Sequence, residues 1–239
     1  MSTSQADSLH RLADFKGFLQ GLQDIGVEYS VIGGQAVGAY AHRLGRESLS
    51  RDLDILAVSE AMERALLWAG RSGFLVRKRP QPRSIPVAFL EWEGREVNIL
   101  TSSAALTDPA AVFDAARFFH VGDDLAVPVA DPFDLLRDKL RVNREKDRPH
   151  IAILLDFVAE EAVQAFESET DPRLRLTPAR KLLRVTGQRF LPAELARRLT
   201  ERARTRADYR FLADVDEAFD PAITPSQWLD EVTEILRKR

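Results

Sequence analysis

Asp52 and Asp54 stand two apart in the run Arg51-Asp52-Leu53-Asp54-Ile55-Leu56. If this run is a strand, its alternation points both carboxylates to one face. Two carboxylates held side by side repel each other unless a cation lies between them. Mg²⁺ is the hard, oxygen-seeking ion that also binds nucleotide phosphates. Upstream, Val31-Ile32-Gly33-Gly34-Gln35-Ala36-Val37 sets a glycine pair at the end of an apolar run. Glycines let the backbone turn sharply and approach a ligand closely. The amides opening the next helix can then hold phosphate oxygens. The chemistry in view is Mg²⁺-assisted in-line displacement on a nucleoside triphosphate. Asp-x-Asp arises by chance and Gly-Gly often marks only a turn. The order strand, glycines, helix, strand with aspartates is what makes the combination informative.

Several elements must position these residues. Apolar spacing predicts a helix over 8–25, with Gly26 as its stop, then a strand over Tyr29–Ile32. Helices follow over Gln35–Leu44 and Glu60–Arg71, the latter after the cap candidate Ser59, with a strand over Leu53–Val58 between them. Strands are expected over Phe74–Lys78, Val87–Trp92 and Arg95–Leu100, the last two joined by the tight turn Glu93-Gly94. Arg77 to Arg83 reads as a basic, proline-broken loop. A helix over 109–117 precedes a small hairpin, Phe118–Val121 and Leu125–Val129. Asp131-Pro132 opens a helix through Arg144, and another runs from about Pro149 to Phe166. Beyond Pro172 there are helix formers, prolines and no strand pattern. The fold class is therefore α/β (α+β): a mixed sheet flanked by helices, followed by an all-helical C-terminal region. Strand pairing is not readable from one sequence.

The 239 residues have ordinary globular composition, 45% hydrophobic and 30% charged, with no cysteine for a disulfide or a cysteine–zinc site. There is no apolar run of membrane length and no apolar signal core at the start, so a cytoplasmic protein with no membrane partner is expected. Charge is uneven. From Asp156 to Asp171 the charged residues are all acidic, whereas from Arg173 to Arg210 they are mostly arginine. This change of sign suggests a division into residues 1–170 and 171–239. The arginines could bind an RNA backbone or form a solvated helical face that partly neutralises the acidic helix. Leu182, Leu183, Leu195, Leu199, Phe211 and Leu212 are the expected helical core. His10, His42, His120 and His150 lack metal-ligand spacing, and His42 lies nearest the proposed site in sequence.

Gly33-Gly34, an amphipathic helix and Ser50-x-Asp52-Leu53-Asp54-Ile55 together resemble the signature of the polymerase-beta-like nucleotidyltransferases. The nearest likeness is to the bacterial minimal and abortive-infection toxin types. It covers about Tyr29 to Asp156 and implies a nucleotidyltransferase-fold domain. It implies that Gly33, Gly34 and Gln35 hold the triphosphate and that Asp52 and Asp54 bind metal. Downstream, Val129 to Leu140 with Arg144, Lys146 and Asp147 is similar to the family's lysine-bearing helix segment. By that likeness Lys139 would touch nucleotide phosphates and Asp147 would sit near the site. The chain departs from the pattern in a longer spacing from Gly34 to Asp52 and in the displaced Arg46. It also departs at Val97-Asn98-Ile99-Leu100, where Asn98 stands in place of the family's third aspartate. Asparagine keeps an oxygen ligand but loses the charge and the base. Glu96, on the same face of that strand, is the possible substitute.

The expected function is Mg²⁺-dependent transfer of a nucleotide to an acceptor hydroxyl on a tRNA end, a protein or a small molecule. The resemblance implies a toxin–antitoxin or defence setting, with a cognate antitoxin as partner. The alternative, favoured by Asn98, is a nucleotidyltransferase-like protein that binds nucleotide or a partner without turnover.

Overall fold

The computed structural model describes residues 9–80 and 87–239. The chain forms two compact units, Met1–Leu154 and Leu155–Arg239.

In the first unit a 3-10 turn, Leu12–Phe15, leads into α1 (Lys16–Asp24). There follow β1 (Ser30–Ile32), α2 (Gly33–Arg43), β2 (Asp52–Leu56) and α3 (Ser59–Arg71). Next come β3 (Leu75–Lys78), β4 (Val87–Trp92) and β5 (Arg95–Leu100). Then come α4 (Pro109–Ala115), β6 (Arg117–Val121), β7 (Leu125–Val129) and α5 (Pro132–Val142). The unit ends within α6 (Arg148–Ser168).

The strands make one mixed seven-stranded sheet in the order β3-β4-β5-β2-β1-β7-β6. β2 runs parallel to β5 and β1 parallel to β7, while the remaining neighbours are antiparallel. The central strand is thus β2, the carrier of both aspartates. Alternation explains why it lies there. Leu53, Ile55, Val97 and Ile99 point into the core and are fully buried. Asp52, Asp54 and Asn98, on the other phase, are only half-buried. Each such buried aliphatic side chain stabilises by roughly 1.5–3 kcal/mol, which pins the register and with it the polar face.

Several boundaries differ from the sequence expectations, each for a local reason. α2 begins at the glycines rather than at Gln35, because extended Ile32 (φ −126°) already takes the N-cap place. Val58, not Ser59, caps α3, and it does so without a side-chain bond. α5 stops at Val142 because Asn143 turns left-handed (φ 50°, ψ 41°) and its N–H returns to the Lys139 carbonyl. α4 stops at Ala115, and Arg117 instead opens β6 and bonds Asp131 at 2.9 and 3.1 Å. Arg77 and Lys78 close β3, whereas Gln81 to Arg83 of the basic stretch lie outside the described residues.

The second unit holds the rest of α6 with α7 (Pro172–Thr186), α8 (Ala193–Thr200), α9 (Arg206–Val215) and α10 (Leu229–Arg237). Among its described residues there is no strand. Leu182, Leu195, Leu199, Phe211 and Leu212 are buried together with Ala196 and Ala213, and Leu183 is half-buried. Here the acidic and basic stretches meet. Arg198 grips Glu160 through both terminal guanidinium nitrogens, at 2.6 and 2.7 Å. Arg202 bonds Glu167, Arg206 and Arg210 share Glu231, and Arg197 lies between Glu194 and Glu201. Part of the reversal of sign near Pro172 is thus answered by ion pairs inside one unit. Exposed pairs of this kind add only about 0–1 kcal/mol each. No helix among the described residues is long and apolar enough to cross a membrane.

Candidate active site

Parallel pairing of β2 with β5 sets Asp54 opposite Asn98 and Asp52 opposite Glu96. The Asn98 side-chain amide donates to Asp54 Oδ1 at 2.8 Å and to Asp52 Oδ2 at 3.0 Å. One Nδ2 thus ties the two carboxylates together. Glu96 lies two residues before Asn98 on β5 and is exposed. Burial, followed by the charge of Asp52, pushes Asp54 up to about 6, against the Asn98 hydrogen bond and the more distant charges of Lys139 and Arg144.

The glycine pair packs directly onto these groups. Gly33 is left-handed (φ 69°), and a Cβ there would come within 2.1 Å of Asp54 Oδ2. A Cβ on Gly34 would come within 2.4 Å of Ser50 Oγ. The chain therefore needs glycine at both positions for space, and at Gly33 for conformation as well. The Ser50 hydroxyl donates to Asp52 Oδ1 at 3.1 Å, so it steadies the carboxylate as well as bordering the turn. Gln35 is only 1% exposed. Its side-chain amide donates to the carbonyls of His10 (3.1 Å) and Ser50 (3.4 Å), holding the segment that leads into β2. A phosphate at this turn is left the main-chain N–H of Gln35 rather than its side chain.

A second cluster comes from the end of α5 and the turn after it. Lys139, nearly buried, donates to Asp147 at 2.9 Å. Arg144 reaches the same carboxylate at 2.7 and 3.3 Å. Burial works to raise the Asp147 pKa, but the hydrogen bonds from Arg144 and Lys139 and their charges override it and hold it at about 2. The charges of Lys139 and Arg144 also act on Asp54, which links this cluster to the carboxylate face. Lys139 thus has a structural partner, so its replacement has two consequences. Lys139→Met is expected to weaken triphosphate binding more than monophosphate binding. It also lowers stability by roughly 1–3 kcal/mol, because buried Asp147 loses a charged donor. Calorimetry with both nucleotides and thermal unfolding check this. Equal loss for both nucleotides would confine Lys139 to supporting Asp147.

Among the histidines, His42 is exposed on the last turn of α2. His150 is the one at the site, its Cε1 lying 3.6 Å from where a Gly34 Cβ would be. Sequence reading passed over it because nothing in its spacing marks a ligand. The signal available was its place one helical turn beyond Asp147.

Among the described residues, no group of three or more His, Cys, Asp or Glu side chains converges to hold a metal. The pair Asp52 and Asp54 still fits Mg²⁺, which takes one or two carboxylates and completes its shell with water and substrate phosphates.

No family model and no curated protein matches this chain. Among solved structures it is similar to the lincosamide antibiotic adenylyltransferase LnuA in its lincomycin-bound form. That likeness has 16% identity and a TM-score of 0.48, over 63% of this chain and 99% of that one. A further likeness is to ANT(2'')-Ia in complex with adenylyl-2''-tobramycin, at 12% identity and TM-score 0.47, over 72% and 97%. A third is to an antigenic nucleotidyltransferase-like protein from Paracoccidioides brasiliensis, at 16% identity and TM-score 0.46, over 74% and 90%. At such identities and TM-scores function has to be read from the residues of the site.

Proposed function

We propose that this protein transfers a nucleotide from a nucleoside triphosphate to an acceptor hydroxyl, with Mg²⁺ held by Asp52 and Asp54. The observation that carries this reading is the convergence of Asp52, Asp54 and Asn98 on one sheet face, directly against the left-handed Gly33. When bound, Mg²⁺ would neutralise the triphosphate and favour in-line displacement. The chain's own groups supply the rest. Main-chain amides from Gly33 to Gln35 meet phosphate oxygens at the start of α2. Lys139 adds positive charge, shared with Asp147. Ser50 and Asn98 orient the carboxylates. Asn98 has no capacity to take the acceptor's proton. Turnover is therefore slow, with deprotonation left to solvent or to Asp52 and Asp54.

The acceptor is a tRNA end, a protein side chain or a small molecule, in a cytoplasmic toxin–antitoxin or defence setting with a cognate antitoxin. The ion pairs of Arg197, Arg198, Arg202, Arg206 and Arg210 tilt the choice away from RNA held by that stretch. A second reading, nucleotide or partner binding without turnover, is favoured by the Asn98 amide bridging both aspartates. Pure protein incubated with each labelled nucleoside triphosphate, Mg²⁺ and total RNA, lysate protein or small hydroxyl compounds separates the readings. Transferred label supports the first and Mg²⁺-dependent binding without transfer the second. The absence of both overturns the site.

A further inference from the structure

We infer that His150 is a nucleotide-contacting residue, its Nε2–H donating to a phosphate oxygen lodged at the Gly33-Gly34 turn. This inference rests on the nucleotidyl-transfer reading above.

Three observations lead there. The first is position. The Cε1 of the imidazole, the carbon between its two nitrogens, borders Gly34 at 3.6 Å from the place of a Cβ. Glycine at that position lets Ser50 and the ring pack close against the strand-to-helix turn, whose amides the reading above assigns to phosphate.

The second is the state of the ring. His150 is half-buried, and of its two nitrogens only Nδ1 is both buried and without a partner. Burial first, and then the charge of Lys139, lower its pKa below the usual 6.5 despite the opposing charge of Asp147. A neutral imidazole carries one N–H and one lone pair. Leaving a buried N–H unpaired is costlier than leaving a lone pair so, which assigns the lone pair to Nδ1 and the hydrogen to Nε2. The fold thus fixes the tautomer and keeps Nε2–H as the available donor.

The third is charge. The groups acting on the ring are Lys139 from α5, Arg144, Lys146 and Asp147 from the turn after it. Lys139 and Arg144 both bond Asp147, so much of their charge is already answered when a triphosphate arrives. A neutral donor beside Gly34 adds a hydrogen bond to phosphate without burying a further charge. Histidine is not otherwise explained here: an apolar ring would fill the same space without an orphaned nitrogen.

The test compares wild type, His150→Phe and His150→Gln. Phenylalanine keeps the ring volume and removes the donor, whereas glutamine restores an N–H at similar reach. Affinities for adenosine, guanosine, cytidine and uridine triphosphates with Mg²⁺ are measured by calorimetry, and melting temperatures in parallel. His150→Phe is expected to lose roughly 10-fold or more in triphosphate affinity without a fall in melting temperature, since a hydrogen bond to a charged group is being removed. His150→Gln should recover most of it. In ¹⁵N-labelled wild type, the His150 Nε2 signal should be that of a protonated nitrogen and should shift on addition of the triphosphate.

Should wild type bind a triphosphate and His150→Phe bind it equally well, this inference is overturned while the broader reading stands. Should wild type bind none of the four, the broader reading fails and takes this one with it. If His150→Phe does not fold, the wild-type spectrum decides: an Nε2 signal unmoved at saturating nucleotide overturns the contact.

Discussion

Replacing Asp52 and Asp54 together with asparagine will abolish Mg²⁺-dependent nucleotide binding and leave the protein at least as stable as before. The first half follows from chemistry. Asparagine offers a neutral oxygen where Mg²⁺ wants an anionic one, and among the described residues no third carboxylate converges to compensate. The second half follows from linkage. Asp54 is raised in the folded protein from 3.8 to about 6, so its ionised form opposes folding above about pH 6. That cost fades as pH falls from 6 toward 4, where the folded state has taken up a proton that the unfolded state has not. Asparagine at 54 can still accept the Asn98 hydrogen bond. In metal-free buffer at pH 7.5, Asp54→Asn should therefore raise stability by up to about 3 kcal/mol. The difference should be gone near pH 4. Calorimetry with Mg²⁺ and nucleotide, and thermal melts across pH, test both parts. Intact nucleotide affinity in the double variant would remove these aspartates from the site.

Asn98→Asp is expected to raise nucleotide transfer by roughly 10²–10⁴-fold, the usual contribution of a general base. Asn98 already lies within 3.0 Å of both carboxylates, so an aspartate there needs no rearrangement to join them. It would arrive at a cost, because the Nδ2 that now links Asp52 and Asp54 would become a third anionic oxygen. Without a cation the variant should melt lower than wild type, and Mg²⁺ should restore it. A wild type that is already fast, and a variant no faster, would leave Asn98 as a spacer and turn attention to Glu96 across from Asp52. If neither form transfers nucleotide to any acceptor, the binding-only reading prevails.

The central features were legible because they are local. Asp52 and Asp54 alternate with Leu53 and Ile55, and that alternation alone predicts their shared face. The glycine pair at the end of an apolar run marked its turn, and Glu93-Gly94 marked its hairpin, with φ of 48° and 76°. Asn98 could be assigned to the third-carboxylate position only through a family likeness. Its approach to residues 44 and 46 positions away depends on a parallel pairing that no local pattern encodes. The inward turn of Gln35 was equally hidden, since it is fixed by carbonyls of His10 and Ser50. The arginine-rich stretch read as a possible nucleic-acid face because composition counts charges without their partners. Arg198 and Arg202 find theirs on Glu160 and Glu167, in a different helix.

The central place of β2 also bears on the order in which the molecule assembles. β4 and β5 form a hairpin closed by a two-residue turn, and β6 and β7 form another, so both can zip early at small loop-closure entropy. β2 joins β5 in parallel across an intervening helix and two strands, and β1 joins β7 in parallel with Val31 against Val129. Such pairings are kinetically late. Asp52, Asp54 and Asn98 therefore meet near the end of folding, and a chain caught with only its hairpins formed has no cation site at all. Pulsed hydrogen exchange during refolding should show amides of β4 and β6 protected before those of β2. Equal protection times would mean that the sheet forms in one step. With the site assembled last, ligand acts on this protein by slowing its unfolding rather than by guiding its folding.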